Sequence, residues 1–131
     1  MLGRLTLADL SILGAVIAYM LPIAVAKYGA LKSFDNSRPR DPDFYKDPFR
    51  ARALGAHQNG MEGFAFFAAA VIIAEMRGTS QPLVDGLALA YLGLRLAFVA
   101  FYLAGKSSLR SLTWALALAA NIAILLSAAR S

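Results

Sequence analysis

Residues 50–76 read RARALGAHQNGMEGFAFFAAAVIIAEM, a stretch whose two halves differ in kind. From Phe64 to Ala74 every side chain is apolar, whereas the half before Phe64 carries Arg50, Arg52, His57, Gln58, Asn59 and Glu62 among alanines and glycines. The run is long, contains no proline and shows no alternation of period two, so it reads as a helix and not as a strand. A bilayer's hydrocarbon core takes about 20 apolar residues of helix to cross. The stretch therefore predicts a membrane helix over residues 51–77, with a polar first half.

Three further apolar stretches flank it and predict helices over residues 5–31, 82–104 and 109–129. Pro22 lies inside the first, which membrane helices tolerate. A signal peptide is the rival reading there, because Arg4 precedes an apolar run that reaches Ala24, Val25 and Ala26. It loses weight because the run exceeds the roughly 7 to 15 residues of such a core and because Asp9 sits at its start. Residues 32–50 form a polar loop with Pro39, Pro42 and Pro48, whose Phe34, Phe44, Tyr45 and Phe49 suit the membrane surface. The connections at residues 77–82 and 105–108 are short, which makes their flanking helices antiparallel neighbours. The expected fold is one all-α domain over residues 1–131, an integral membrane four-helix bundle.

Composition agrees. Of 131 residues 59% are hydrophobic and 16% charged, where a soluble domain carries about 25% charged. The net charge of +5 lies in loops and not along one polar face, which favours topology over nucleic acid as its cause. Residues 32–52 and the turn before the fourth helix carry Lys32, Arg38, Arg40, Lys46, Arg50, Arg52, Lys106 and Arg110, against Arg4, Arg77 and Arg130 on the other side. Positive loops stay inside, so both termini are expected to face away from the cytoplasm. With no cysteine, disulfides, thiolate metal sites and a Cys nucleophile are excluded, and any thiol must arrive with a ligand. A lone histidine without carboxylates at ligand spacing gives no expectation of a metal.

Ionisable groups inside membrane helices mark candidate sites, because each is expensive there. At 100° per residue Arg52, Gly55, Asn59, Glu62 and Phe66 share one stripe of the second helix, with Gln58 at its edge. Tyr91, Arg95, Phe98 and Tyr102 form a second stripe on the third helix. Glu62 and Arg95 lie at similar depth and are expected to pair, either to hold two helices in register or to build a pocket for a zwitterionic or anionic ligand. His57 points away from this stripe and reads as a helix-interface residue. Asp9 and Asp85 suit helix starts. Glu75 is expected to be solvated, and Asn121, Gly86, Ala90, Gly93 and Ala97 to serve as contacts between helices.

The run quoted above, followed by RLAFVAFY at residues 95–102 and LRSLTW at residues 109–114, resembles the MAPEG family of membrane proteins in eicosanoid and glutathione metabolism. The likeness covers most of the chain. It implies a homotrimer that binds glutathione between subunits, with Arg52, Asn59, Glu62, Arg95 and Tyr102 as binding residues. Arg110 and, after it, Tyr102 would be the catalytic residues that stabilise the glutathione thiolate. The sequence departs from well-studied members at Gly55, where they carry an arginine whose place Arg52 would take, at Gly60 and at Phe98. The AHQNxxE form resembles bacterial members, which implies a bacterial inner membrane. Two functions follow from the resemblance. One is a glutathione-dependent transferase or peroxidase for hydrophobic electrophiles that arrive through the bilayer. The other is a non-catalytic scaffold or small-anion binding protein of the same fold.

Overall fold

Thr6 and Asp9 set the start of the first helix. The Thr6 hydroxyl accepts from the Asp9 amide at 3.0 Å and the Asp9 carboxylate accepts from the Thr6 amide at 2.9 Å. This reciprocal cap satisfies two donors that a helix start leaves without partners. In the computed structural model, which describes residues 3–130, helix α1 accordingly runs Leu7–Tyr28 and not from residue 5 to 31. Residues 1, 2 and 131 of the expected domain lie outside the described residues. Helix α2 spans Pro48–Met76 and begins three residues before the expected 51. Asp47 explains the earlier start, since its carboxylate accepts from the Arg50 amide at 3.1 Å, and Pro48 suits the first helical turn, where no amide is needed. Helix α3 spans Gln81–Leu103 and α4 spans Ser107–Ser127, closed by a 3-10 turn at Ala128–Arg130.

All four helices are long and apolar enough to cross a membrane, and no strand occurs among the described residues. The fold is an all-α membrane bundle. Leucines and isoleucines cover the outer surface, among them Leu13, Ile17, Leu112 and Leu126, each more than half exposed. In water such a surface would drive association, whereas lipid tails solvate it.

Helix α1 packs against α2 and α3 through a line of small residues, Ala8, Ser11, Ala15, Ala18 and Ala26, which lets the backbones approach closely. Gly60 of α2 belongs to this contact: a Cβ there would collide with the Tyr19 Cβ of α1. The inward line of α3 is Val84, Ala88, Tyr91, Arg95 and Phe98. Phe67 of α2 stacks on Tyr91 at 4.0 Å between ring centroids. The expected contact residues Gly86, Ala90, Gly93 and Ala97 are not on this line. Gly86, Ala90 and Gly93 lie two residues, about 200°, round the helix from it and are exposed, with nothing near Gly86 or Gly93, while Ala97 is half-buried beside Phe98.

At the terminal side a polar cluster ties three helices. Asp85 of α3 accepts from the Ala8 amide at 2.9 Å, capping α1 from a neighbouring helix. Glu75, expected in solvent, is only partly exposed and accepts from the Thr6 hydroxyl at 2.7 Å and the Gln81 amide at 3.0 Å. On the opposite side the long loop folds back on the bundle. Phe44 and Tyr45 are buried against Ile23, Phe34 and Leu54, and burial pushes the Tyr45 phenol above its usual range.

Candidate functional site

Between α2, α3 and α4, toward the side of the long loop, two cavities adjoin. The outer one, of about 470 Å³, has Gly55, Gln58, Asn59 and Glu62 of α2 on one wall, Phe98 and Tyr102 of α3 on the second, and Arg110, Ser111 and Trp114 of α4 on the third. The inner one, of about 270 Å³, shares Asn59, Glu62 and Trp114 and continues to Tyr91, Arg95 and Asn121.

The aromatic side chains of α3 carry two guanidinium groups. Arg95 lies over the Phe98 ring at 4.1 Å, Phe98 meets Tyr102 edge to face at 5.5 Å, and Arg110 lies over the Tyr102 ring at 4.8 Å. Arginine is suited to such stacking because its flat guanidinium sheds water more readily than an ammonium does. Arg110 is fixed in place by its ring contact and keeps its N–H groups for a ligand: no hydrogen bond from its side chain occurs among the described residues. Tyr102 reaches its position because residue 55 is glycine. A Cβ there would collide with the phenol oxygen. The Gly55 departure is thus a requirement of the Tyr102 rotamer, and Gly60 likewise answers to Tyr19.

Glu62 and Arg95 do not pair. The ion pairs among the described residues lie in the loop, Arg38 with Asp41 and Lys46 with Asp43. Arg95, 6% exposed, donates instead through Nη2 to Asn59 Oδ1 at 2.8 Å. Asn59 lies one turn before Glu62 and intercepts the guanidinium, leaving the Glu62 carboxylate exposed on the cavity walls without a protein partner among the described residues. Such a group in a membrane helix calls for a ligand, water or another subunit.

Arg52, expected with the binding residues, lines neither cavity. Its Nε donates to the Leu103 carbonyl at 3.2 Å, and its guanidinium lies beside Phe49 at 5.9 Å. The last carbonyls of a helix lack partners within it, and Arg52 supplies one for α3. It lines instead a separate groove of about 100 Å³ with Tyr102 and Arg110. His57 serves the α1–α2 contact, with Nδ1 2.6 Å from the Tyr19 carbonyl. A carbonyl only accepts, so the proton is on Nδ1.

Of the expected site residues, Asn59, Glu62, Tyr102 and Arg110 meet in the outer cavity, and Arg95 joins Asn59 and Glu62 in the inner one. Ser111 and Trp114 were not among the residues expected from sequence. The signal for Trp114 was available: Arg110, Trp114, Ala117 and Asn121 recur at spacings of four, three and four, one face of α4. Neither the curated proteins nor the solved structures contain a match to the chain. The model of the MAPEG family, in contrast, matches residues 7–130, nearly the whole length and all four helices around these cavities, so the chain belongs to the MAPEG family.

Proposed function

We propose that the protein is a membrane-bound glutathione-dependent transferase or peroxidase acting on hydrophobic electrophiles. The observation that carries this reading is the convergence of a partnerless carboxylate, Glu62, and a guanidinium with free donors, Arg110, on one cavity of about 470 Å³. A zwitterionic peptide offers complementary charges to both. Bound glutathione would supply the nucleophilic thiol that this cysteine-free chain lacks. Glu62 would accept from its ammonium group. Asn59, whose Oδ1 accepts from Arg95, keeps both N–H groups of its carboxamide and would donate to a ligand carbonyl. Arg110 would hold the sulfur as thiolate, since a nearby positive charge favours the ionised form, with the Tyr102 hydroxyl as second donor. Arg95 would position Asn59.

The exposed Glu62 face of α2 also suits a second copy of the chain, and we read the active form as a homotrimer with sites between subunits. On this reading the basic loop would face the cytoplasm and both termini would face away from it, in a bacterial inner membrane. The second substrate would enter from lipid. A scaffold or small-anion binding protein is the second reading. It is favoured by one observation, that Arg95 and Asn59 are spent on each other and Arg52 on a helix end.

Calorimetric titration of glutathione into the detergent-purified protein, beside the Glu62→Gln variant, separates the two. Saturable binding that the variant loses supports the transferase. Absence of binding at millimolar ligand leaves the scaffold.

A further inference from the structure

Arg52, Lys106 and Arg110 surround the groove of about 100 Å³ on the loop side of the bundle, together with Phe101, Gly105 and Ser107. The first turns of α2, the end of α3 and the start of α4 converge there. Arg52 is held through one atom: its Nε donates to the Leu103 carbonyl, which leaves both Nη groups without a protein partner among the described residues. Gly105, at φ +73°, lets the α3–α4 connection turn close past this guanidinium, and a Cβ there would stand 3.9 Å from the Arg52 Nε. The turn is closed by the Lys106 amide, which donates to the Phe101 carbonyl at 2.9 Å. Arg110 is fixed over the Tyr102 ring, and the Lys106 ammonium has neither an ion pair nor a hydrogen bond among the described residues. Charge in this groove is therefore unbalanced. No aspartate or glutamate lines it, and the ion pairs among the described residues lie in the loop. The start of α4 adds to the excess, since its first amides carry partial positive charge and no side chain caps them.

We propose that this groove binds a phosphate group, held by the Nη groups of Arg52, the guanidinium of Arg110, the ammonium of Lys106 and the Ser107 hydroxyl. Guanidinium forks match the oxygens of a phosphate, and the lysine adds a mobile point charge. The space suffices, because one water needs only about 10–15 Å³ on the same measure. The membrane itself is the nearest source. The groove lies where three membrane helices begin or end, at the level of lipid head groups, and a basic pocket between helices on the side of the positive loops suits an anionic lipid. Phe101 gives the groove an apolar wall. Leu109 and Leu112 of α4, 44% and 53% exposed, lie about 100° or more round the helix from Arg110 and Trp114, away from the face given to a second subunit, and offer a surface to acyl chains. The site is distinct from the one proposed for glutathione, since Arg52 and Lys106 line neither cavity. Arg110 stands between the two, and its several N–H groups allow it to serve both.

The experiment uses the full chain purified in a neutral detergent, without glutathione and at fixed ionic strength. Dioctanoyl phosphatidylglycerol is titrated and its adducts are counted by native mass spectrometry, and inorganic phosphate is titrated separately by calorimetry. Saturable binding is expected. Lys106→Gln should weaken it about fivefold, the worth of one basic side chain at a membrane surface, and Arg52→Gln about tenfold, the worth of one charge-assisted hydrogen bond. Lys32→Gln, which removes the same charge from the exposed loop, should leave it unchanged. Lipid binding with this pattern supports the site and assigns the phosphate to a head group. Phosphate binding with this pattern, and no retained lipid, supports the site and assigns it to a free anion. Equal losses in Lys106→Gln and Lys32→Gln overturn the proposal, because diffuse attraction to a positive face then explains the binding. Absence of saturable binding by either probe overturns it too, as does displacement of the bound probe by glutathione, which would make the groove an arm of the outer cavity. Should Arg52→Gln fail to fold, Lys106→Gln, on an exposed turn, decides alone. Failure of glutathione to bind the natural chain would sink the transferase reading and leave this result untouched.

Discussion

Arg95 of α3 and Asn59 of α2 are joined by a hydrogen bond of 2.8 Å inside the bundle, with Arg95 6% exposed. The bond does two things at once. It gives a buried guanidinium its one hydrogen-bonded protein acceptor among the described residues, and it turns the Asn59 carboxamide so that its NH₂ end remains for a ligand. Asn59→Leu should therefore lower thermal stability in detergent by about 2–3 kcal/mol, because it strands a buried charged donor. Glu62→Gln, which removes no protein contact, should leave the melting temperature nearly unchanged. Equal destabilisation by the two variants would place Glu62 in the structure and not in a ligand site.

Arg110→Ala should reduce kcat/KM for conjugation of a hydrophobic electrophile by about 10²-fold, the effect typical of removing a group that stabilises a developing or stored anion. Tyr102→Phe, which keeps the ring beneath Arg110 and removes one donor, should cost about tenfold. Steady-state rates with the purified protein check both. Unchanged turnover in Arg110→Ala would sink the thiolate assignment.

Gly55→Ala and Gly60→Ala look alike on paper and should behave differently. The added methyl at 55 meets the end of the Tyr102 side chain, which can swing away, so stability holds while turnover falls at least as far as in Tyr102→Phe. At 60 it meets the Tyr19 Cβ and, at 3.2 Å, its Cα, so α1 and α2 must separate. Overpacking of this kind costs about 1–3 kcal/mol. Melting curves and rates measured on both variants decide.

Asp85→Ala should lower stability by about 0.5–2 kcal/mol, since it removes the acceptor that Asp85 lends to the first turn of α1. Asp85→Asn keeps an acceptor at that position and should recover most of the loss. A full effect in both variants would point to charge in place of the hydrogen bond.

The loop carries a small pH signature. The Ser37 hydroxyl and amide both donate to Asp35 Oδ1, at 2.7 and 2.9 Å, and hold its carboxyl below the ordinary value. A depressed folded pKa means that the added stability of the turn is present above the unfolded value, about 3.9, and is lost as pH falls through the lower folded value. Ser37→Ala should raise the Asp35 pKa in an NMR titration. No change would mean that the turn is not held by this bond in solution.

Much of this molecule is legible in residues 50–76. Length and apolarity decide that the second helix crosses a membrane, and the same reasoning reaches the other three helices and the all-α fold, while the family was legible in the resemblance of its motifs. The spans and the helical class follow from local composition and from the bilayer's thickness, which act on one segment at a time. The fate of each polar side chain is a different matter. Periodicity puts Arg52, Asn59 and Glu62 on one stripe, but it does not say which neighbour each will find. That Arg95 takes Asn59 and not Glu62, that Arg52 caps the end of α3, that Tyr102 occupies the space left by Gly55, and that Asn121 is left without a partner all depend on contacts between helices. Helix azimuth and register, set by small-residue packing of α1 on α2 and α3, decide those contacts to within a hydrogen bond's length. A one-dimensional pattern resolves a helix face only to the 100° between successive residues.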